Sequence, residues 1–397
     1  MPFSLDVAVI GGCGHVGLPL AIAFAERGLT VGIYDLDGDS VSAVNAAEMP
    51  FAEPGAGPAL KRAIAGDRLA ATTDPAIVGR AEHVIVVIGT PVDSHLNPDQ
   101  GAITRALAGC QRHLSDGQLL ILRSTVYPGS TALVEKMIRG LGLDLDVAFC
   151  PERIAEARAM TEIYELPQIV SSRTGAGSER ASALFRRLTP RIVLMTPEEA
   201  ELAKLFTNVW RYIKFATANQ LYMMANDRGL DFERIRLGLA DGYPRAAGLP
   251  SAGFTAGPCL FKDTMQLAAY NNNNFALGHT AMIINEGLPL YLVHRLEQRF
   301  DLRTMTVGIL GMAFKGGTDD IRASLSYKLK RILAVKAAAV LCTDPRVTAD
   351  PDLRPLPEVL ARADLLIVGA PHPEYRGLEA GVPAADIWNI LGKGVLV

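Results

Sequence analysis

The sequence predicts a mixed α/β protein in which two Rossmann-type domains flank a helical region. Three observations support this class: strand and helix patterns alternate near both ends of the chain, strand patterns vanish in the middle, and a glycine-rich turn follows the first strand. With 397 residues the chain is long enough for two or three domains. We expect an N-terminal Rossmann domain over residues 1–195, a central helical domain over 196–300 and a C-terminal Rossmann-like domain over 301–397.

The N-terminal part contains short, continuous apolar runs rich in β-branched residues. Runs of this kind are typical of parallel strands that are covered on both faces. Helical patterns lie between them, for example over Val16–Arg27 and Thr131–Leu141. The predicted strands are Val7–Ile10, Thr30–Tyr34, His83–Ile88, Leu119–Leu122 and Asp146–Phe149.

The central region predicts two long helices. Thr196 supplies a cap, Pro197 suits the first helical position, and the helix is expected to reach Asp227, before Gly229. A second helix is expected over Leu277–Arg299, with a kink at Pro289. Helices this long need extensive burial, which predicts a subunit interface.

Strand patterns return in the C-terminal part. Thr306–Leu310 precedes Gly311, and Ala339–Leu341 and Asp364–Val368 follow. This arrangement predicts a second, smaller α/β domain.

Composition excludes several classes of protein. The net charge of −3, without a long basic run, argues against a nucleic-acid partner. The five cysteines are scattered and lack zinc spacing, so we expect thiols, no metal and a reducing cytoplasm. No apolar run reaches about 18 residues, which predicts no membrane association.

The first motif is a dinucleotide turn. Gly12, Gly14 and Gly17 fit G-x-G-x-x-G after a strand and at the start of a helix, where backbone N–H groups can hold a pyrophosphate. Asp35 ends the second strand, where its carboxylate can bind ribose hydroxyls. Because it would repel a 2′-phosphate, we expect NAD as the cofactor.

Two further patterns contain candidate catalytic residues. Cys259 lies between Gly257-Pro258 and the pair Lys262 and Asp263, where an ammonium and a helix N-terminus would favour the thiolate. Lys204 and Asn208 share one helix face and could stabilise an oxyanion, although a solvated surface pair fits the same spacing.

These motifs together resemble the UDP-sugar 6-dehydrogenases, which include UDP-glucose and UDP-N-acetylhexosamine dehydrogenases. The resemblance covers nearly the whole chain in the same order. It rests on Gly12–Gly17, Asp35, Glu53-Pro-Gly55, Gly89-Thr-Pro91, Ser124-Thr125-Val126, Pro151-Glu152, Glu201–Asn208, Gly257–Asp263, Ala313-Phe-Lys315 and Thr318–Arg322.

The resemblance implies catalytic roles. Cys259 matches the family's nucleophile, and Lys204 and Asn208 match the pair that stabilises the oxyanion. Asp263 matches the acid that works with water beside the thiol, while Thr125 and Glu152 match residues that hold the catalytic water.

The resemblance also implies binding roles and an order of domains: NAD-binding first, dimer-forming in the middle, UDP-binding last. Expected NAD contacts are Gly12, Gly14, His15, Val16, Gly17, Asp35, Thr90, Thr125, Lys262 and Arg322. Expected contacts to the UDP-sugar are Glu152, Arg153, Lys204, Asn208, Arg245 and Lys315.

The implied reaction is a four-electron oxidation of C6. Hydride transfer to NAD gives an aldehyde, the Cys259 thiolate adds to it, a second NAD oxidises the thiohemiacetal, and water releases the uronic acid. The resemblance further implies a place in polysaccharide biosynthesis. Arg153 after Pro151-Glu152 favours a UDP-N-acetylhexosamine as the substrate.

Two departures and three alternatives stay open. Ala157 and Ala256 stand where many members have glycine. The chain could instead be a UDP-glucose 6-dehydrogenase, a single two-electron NAD-dependent alcohol dehydrogenase that needs no thiol, or a non-catalytic nucleotide-binding protein. The sequence assigns no role to Asn271–Asn274 or to His372.

Overall fold

The computed structural model describes residues 3–90, 92–93, 98–99 and 101–397. The described chain divides into two compact units, Met1–Phe206 and Thr207–Val397, with the boundary inside one long helix. Each unit is described by itself. Pro91 of the predicted Gly89–Pro91 motif lies outside the described residues.

The first unit alternates strands and helices along most of its length. The strands are β1 (Leu5–Ile10), β2 (Val31–Tyr34), β3 (Leu69–Thr72), β4 (Ala81–Val86), β5 (Leu119–Leu122), β6 (Asp146–Phe149), β7 (Gln168–Ser172) and β8 (Ile192–Met195). The helices are α1 (Gly17–Glu26), α2 (Gly38–Asn45), α3 (Ala56–Ala65), α4 (Ala102–Cys110), α5 (Ser130–Gly140), α6 (Ala159–Glu165) and α7 (Gly175–Phe185).

These strands form one sheet in the order β3-β2-β1-β4-β5-β6-β7-β8. The pairs are parallel except β6 with β7, which are antiparallel. The first six strands have the order of a dinucleotide-binding Rossmann sheet, and that order reverses between β1 and β4. Apolar side chains such as Val9, Ile33 and Leu119 fill the core of this unit. The predicted Rossmann fold is therefore confirmed.

The helix α8 (Pro197–Asn226) begins with a capping box. Thr196 N donates to Glu199 Oε2 at 2.8 Å, and Glu199 N donates to Thr196 Oγ1 at 3.4 Å. Gly229, at φ +67°, follows its end, as the sequence predicted.

The second unit contains the rest of α8 and a smaller α/β part. Its other helices are α9 (Phe232–Ala240), α10 (Leu260–Tyr270), α11 (Ala276–Glu297), α12 (Leu325–Lys336) and α13 (Leu356–Arg362). Its strands are β9 (Thr306–Leu310), β10 (Ala339–Thr343), β11 (Leu365–Val368) and β12 (Ala384–Ala385).

The four strands of this unit form a wholly parallel sheet in the order β10-β9-β11-β12. Apolar side chains such as Val307, Ile309 and Ile367 join residues of α8, α11 and α12 in one core. Helix α11 is close to its predicted range and contains Pro289. The Rossmann-like fold expected for the end of the chain is confirmed.

The asparagine run that the sequence left unassigned ends helix α10. Asn272 and Asn273 adopt left-handed conformations at φ +53° and +58°, and Asn271 donates its side-chain amide to the Asn274 carbonyl at 2.6 Å. Asparagine tolerates this region better than other residues with a side chain. The run is thus a turn between α10 and α11.

Across the described residues, no helix has the length and apolar character needed to cross a membrane.

Candidate active site

The glycine turn connects β1 to α1 in the first unit, with Val16 as the N-cap residue of the helix. A Cβ on Gly17 would lie 2.7 Å from Gly12 Cα, so close backbone packing requires glycine there. At Gly14, by contrast, a Cβ would meet no protein atom within 4 Å. Protein packing does not explain Gly14, whereas a pyrophosphate lying against the turn would.

Asp35 lies directly after β2 and is bound to the glycine turn. Cys13 N donates to Asp35 Oδ2 at 2.9 Å, and Asp37 N donates to Oδ1 at 3.2 Å. These hydrogen bonds fix a carboxylate beside the turn, where a dinucleotide fold places the acid that binds the adenosine ribose.

His15 extends from the glycine turn and pairs with Glu156, which was not predicted as a site residue. His15 Nε2 lies 3.3 Å from Glu156 Oε1, and its ring stacks on Phe51 with centroids 4.0 Å apart. Glu156 belongs to the Pro151–Ala157 segment. Its place four residues after Glu152 was the only sequence signal.

Thr90 and Thr125 follow the neighbouring strands β4 and β5. Thr90 Oγ1 donates to the Thr125 carbonyl at 2.6 Å, and Ile88 N donates to Ser124 Oγ at 2.7 Å. The two loops are therefore joined at the carboxyl end of the sheet, the edge at which ligands of such sheets bind.

Glu152 is buried and held by both carboxylate oxygens. Arg123 forms a hydrogen-bonded ion pair with Oε2, while Arg153 N and Ile154 N donate to Oε1 at 2.6 and 2.8 Å. Arg123 also donates to Gln168 Oε1 at 2.9 Å. Arg123 was not predicted as a site residue, although it directly precedes the Ser124-Thr125 motif. The predicted contact Arg153 directs its guanidinium to the Pro167 carbonyl.

Cys259 is the N-cap residue of α10 in the second unit, and it is exposed. The other four thiols differ, because burial raises the pKa of Cys13 and Cys150 to about 12 and that of Cys110 and Cys342 to about 11. Those four carry little thiolate at neutral pH, whereas Cys259 is accessible at a helix N-terminus, which favours a thiolate.

Asp263 follows one turn later and is wholly buried. Lys262 Nζ lies 2.9 Å from its Oδ1, and Asn208 Nδ2 donates to its Oδ2 at 2.5 Å. Asn208 lies on α8, so this hydrogen bond joins α8 to the helix that begins at the thiol. Lys204, one turn earlier on α8, is also buried, which rules out the solvated surface pair.

The turn before the thiol requires glycine at 257 and accepts alanine at 256. Gly257 has φ +98°, and a Cβ there would lie 2.6 Å from the Phe314 ring. Its N–H donates to the Ala323 carbonyl at 3.3 Å. Ala256 is half-buried against the apolar core of this unit, so its methyl group has a packing role.

Two of the predicted nucleotide contacts in the second unit, Lys315 and Arg322, lie in the loop after β9. Lys315 Nζ lies 5.6 Å from the centroid of the Phe314 ring, and Arg322 donates to Asp320 through Nε and Nη2. Arg245 is exposed in the loop after α9, with its guanidinium over the Tyr243 ring. The structure places Lys315 and Arg322 on one loop and Arg245 on another.

His372, which the sequence left unassigned, is buried beside this loop. Its Nε2 lies 3.0 Å from Asp344 Oδ2, and Gly317 N donates to its Nδ1 at 3.2 Å. Asp344 Oδ2 also accepts from Met312 N and Ala313 N. The carboxylate after β10 thus binds the turn after β9, as Asp35 binds the turn after β1.

Three models of the UDP-glucose/GDP-mannose dehydrogenase family match successive parts of the chain. The NAD binding domain matches residues 5–189, the central domain 198–286 and the UDP binding domain 308–393. Together they match most of the chain, in the order that the sequence predicted.

Individual relatives align over nearly their whole length. The chain is 29% identical to UDP-N-acetyl-D-mannosamine dehydrogenase of Pyrococcus horikoshii, covering 98% of this chain and 93% of the relative. It is 31% identical to UDP-glucose 6-dehydrogenase AglM of Haloferax volcanii, with coverages of 94% and 93%.

Solved structures show the same similarity. The UDP-D-ManNAc dehydrogenase of Pyrococcus horikoshii superposes with a TM-score of 0.88 at 29% identity, covering 94% of this chain and 91% of the other. The UDP-glucose dehydrogenase of Pyrobaculum islandicum gives 0.90 at 26% identity, with coverages of 97% and 94%.

Proposed function

Because the chain belongs to the UDP-glucose/GDP-mannose dehydrogenase family, we propose that it oxidises C6 of a UDP-N-acetylhexosamine to the carboxylate through a covalent intermediate on Cys259. The chain is an NAD-dependent UDP-sugar dehydrogenase. The exposed thiol at the N-terminus of α10 is the single observation that supports the covalent mechanism.

The first unit fits NAD. The open position at Gly14 gives a pyrophosphate room that no protein atom fills, and Asp35 is fixed beside the turn. Gly12, Gly17, Val16 and His15 would complete the contacts of the turn, with Thr90 and Thr125 at the ends of the neighbouring strands. When bound, NAD supplies the hydride acceptor for each two-electron step.

Cys259 would turn an aldehyde into an oxidisable adduct. Its thiolate attacks the C6 aldehyde, and a proton reaches the resulting oxyanion, giving a thiohemiacetal. Loss of hydride and of the hydroxyl proton leaves a thioester, which water cleaves to the carboxylate and the free thiol. Overall, one alcohol, one water and two NAD⁺ give one carboxylate, two NADH and three protons.

Lys204 and Asn208 would stabilise the oxyanion formed in each addition step, because both donors are buried on one face of α8. Asp263 would orient water, and its orientation is fixed by Lys262 and Asn208. Thr125 and Glu152 would hold the attacking water. Lys262 and Arg322 would contact NAD, and Lys315, Arg153 and Arg245 the UDP-sugar.

Two findings support an acetylated substrate. The chain has the Pro151-Glu152-Arg153 form that resembles the N-acetylhexosamine enzymes. UDP-N-acetyl-D-mannosamine dehydrogenases are among its relatives over nearly the full chain. UDP-glucose is the second candidate, because the relative from Haloferax volcanii is a UDP-glucose 6-dehydrogenase at 31% identity.

A homodimer and a cytoplasmic location complete the proposal. Large apolar side chains are exposed on α8 and α11, among them Trp210 (61%), Leu277 (67%) and Ile283 (67%). Such exposure is typical of a surface covered by a partner, and a second copy would cover it. The cytoplasm fits the five thiols, since an oxidising compartment would favour disulfides.

A panel of UDP-sugars with NAD tests this function. UDP-ManNAc, UDP-GlcNAc and UDP-glucose are each supplied in limiting amount, and the NADH formed per sugar is counted. We expect two NADH per sugar, with the highest kcat/KM on an N-acetylhexosamine. One NADH per sugar would favour a simple alcohol dehydrogenase, and no NADH from any sugar would contradict the proposal.

A further inference from the structure

A buried side-chain amide on α8 binds the segment that leads to the thiol. This thiol segment comprises residues 252–259. Gly253 N donates to Asn219 Oδ1 at 2.9 Å, and Asn219 Nδ2 donates to the Gly253 carbonyl at 3.0 Å. One amide thus satisfies both backbone groups of one residue, as a neighbouring strand would.

The orientation of that amide is fixed by a second asparagine. Asn219 Nδ2 also donates to Asn285 Oδ1 at 2.9 Å, and Asn285 Nδ2 donates to the Tyr212 carbonyl at 3.1 Å. Asn219 is 1% exposed and Asn285 is fully buried, so water cannot replace these bonds. A buried hydrogen-bond network of this kind holds its members in one arrangement.

The opposite side of Gly253 is closed by an indole ring. A Cβ on Gly253 would overlap the six-membered ring of Trp388, which also packs edge-on against Phe254. Phe254 and Thr255 are buried, and Gly257 is fixed against Phe314. The thiol segment is therefore held at Gly253 and at Gly257, and Cys259 lies two residues after Gly257.

We infer that Asn219 is a positioning residue for Cys259. It contacts no reacting group, and it acts by holding the thiol segment so that the thiol stays at the N-terminus of α10. The inference rests on the proposed role of Cys259. Without the two bonds to Gly253, the segment gains conformations in which the thiolate loses the field of the helix N-terminus.

Asn226 provides a matched control. It lies on the same helix, is fully buried, and likewise uses both ends of its amide: Nδ2 donates to Tyr291 Oη at 3.0 Å, and Oδ1 accepts from Val397 N at 2.8 Å. Its partners lie outside the thiol segment. Asn219→Ala and Asn226→Ala therefore each remove a buried, hydrogen-bonded amide from α8, and only the first frees the segment.

The test measures the alkylation rate of Cys259 by iodoacetamide in both variants of the full chain, at fixed pH and without substrate. Peptide mass spectrometry identifies the adduct, and Cys259→Ala gives the background. For Asn219→Ala we expect the rate to fall about threefold or more and kcat to fall roughly ten- to a hundredfold, because a small displacement of a reacting group has effects of this size. For Asn226→Ala both values should stay within about twofold.

Equal alkylation rates in the two variants would overturn the inference, whatever happens to kcat. If Asn219→Ala does not fold, Asn285→Ala replaces it. This substitution removes the bond that orients Asn219, together with the bond to the Tyr212 carbonyl, and leaves both bonds to Gly253, so we expect a smaller decrease of the same sign. A rate equal to that of Asn226→Ala would again overturn the inference. Two NADH per sugar from Cys259→Ala would instead refute the role of the thiol and leave the alkylation comparison valid.

Discussion

Asn208 Nδ2 donates a 2.5 Å hydrogen bond to Asp263 Oδ2, and this contact joins the helix with the candidate oxyanion donors to the helix that begins at Cys259. The hydrogen bond is buried and crosses 55 positions of sequence. The other carboxylate oxygen, Asp263 Oδ1, lies 2.9 Å from Lys262 Nζ. The carboxylate therefore organises the thiol end of α10.

Removing the charge of Asp263 should affect both stability and turnover. In Asp263→Asn the half-buried ammonium of Lys262 loses its fully buried carboxylate partner, so we expect the free energy of unfolding to fall by about 3 kcal/mol. We expect kcat to fall about a hundredfold, because the water that cleaves the thioester loses its carboxylate.

Urea unfolding and steady-state kinetics check this prediction. The control is Asp301→Asn, which breaks the exposed pair with Arg303 and should leave the unfolding free energy nearly unchanged. Equal effects of the two substitutions would show that Asp263 has no special role.

Substitutions at two glycines of the turn should affect NAD binding and folding separately. Gly14→Ala should leave the melting temperature of the protein without NAD unchanged, because the new methyl group meets no protein atom within 4 Å. It should raise the Kd for NAD by about tenfold or more, since the backbone can no longer approach the pyrophosphate.

Gly17→Ala should instead destabilise the fold. Its Cβ would lie 2.7 Å from Gly12 Cα, so we expect a loss of about 2 kcal/mol in the free energy of unfolding. Calorimetric titration with NAD and thermal melting measure the two effects. A normal NAD affinity in Gly14→Ala would contradict the assignment of the turn.

Ala157 is strained, and glycine should relieve the strain. It has φ +62° and is held there by its N–H, which donates to Glu53 Oε2 at 3.0 Å. Because a left-handed conformation costs a residue with Cβ roughly 1 kcal/mol, Ala157→Gly should stabilise the fold by about that amount. Activity should not change.

The comparison is Ala159, two residues later in the chain. The urea concentration at the midpoint of unfolding is measured for both glycine variants. The N–H of Ala159 donates to Glu53 Oε1 at 2.9 Å, but this residue begins α6 and its methyl group is buried. Ala159→Gly should therefore destabilise the fold by about 1 kcal/mol. Destabilisation by Ala157→Gly would contradict this account of the strain.

Asp344 should make stability depend on pH in the acid range. Burial alone would raise its pKa, but hydrogen bonds from His372 and from backbone N–H groups outweigh burial and lower its pKa to about 2. A depressed pKa contributes stability above the unfolded pKa, which is about 3.9, and that stability is lost as pH falls towards 2. The contribution near neutral pH is about 2 kcal/mol.

Urea unfolding of the unmodified protein and of Asp344→Asn at pH 7, 5 and 3.5 tests this dependence. The difference in unfolding free energy should be largest at pH 7 and 5 and smaller at pH 3.5. A difference that does not change with pH would show that the Asp344 carboxylate is not the source.

Much of the fold follows from local patterns in the sequence. The five strands predicted in the N-terminal part agree within two residues with β1, β2, β4, β5 and β6, because continuous apolar runs covered on both faces leave little ambiguity. The start of α8 was predicted from Thr196 and Pro197. Strand β3 was not predicted because Leu69–Thr72 contains two alanines, and strands β7 and β8 were not predicted either.

The contacts within the site were harder to predict. Arg123 reaches Glu152 across 29 positions and Asn219 reaches Gly253 across 34, so neither contact has a periodic or local signal. Tertiary packing alone brings these groups together. The catalytic roles of Cys259, Lys204 and Asn208 come from the family resemblance and stay predictions.

The most direct test of the covalent mechanism counts NADH per limiting UDP-sugar in Cys259→Ala, with hydroxylamine present to trap free aldehyde. The buried thiol Cys110 provides the control Cys110→Ala, which should retain two NADH per sugar. For Cys259→Ala we predict no more than one NADH per sugar and a trapped aldehyde. Two NADH per sugar and a free uronic acid product from Cys259→Ala would contradict the central claim.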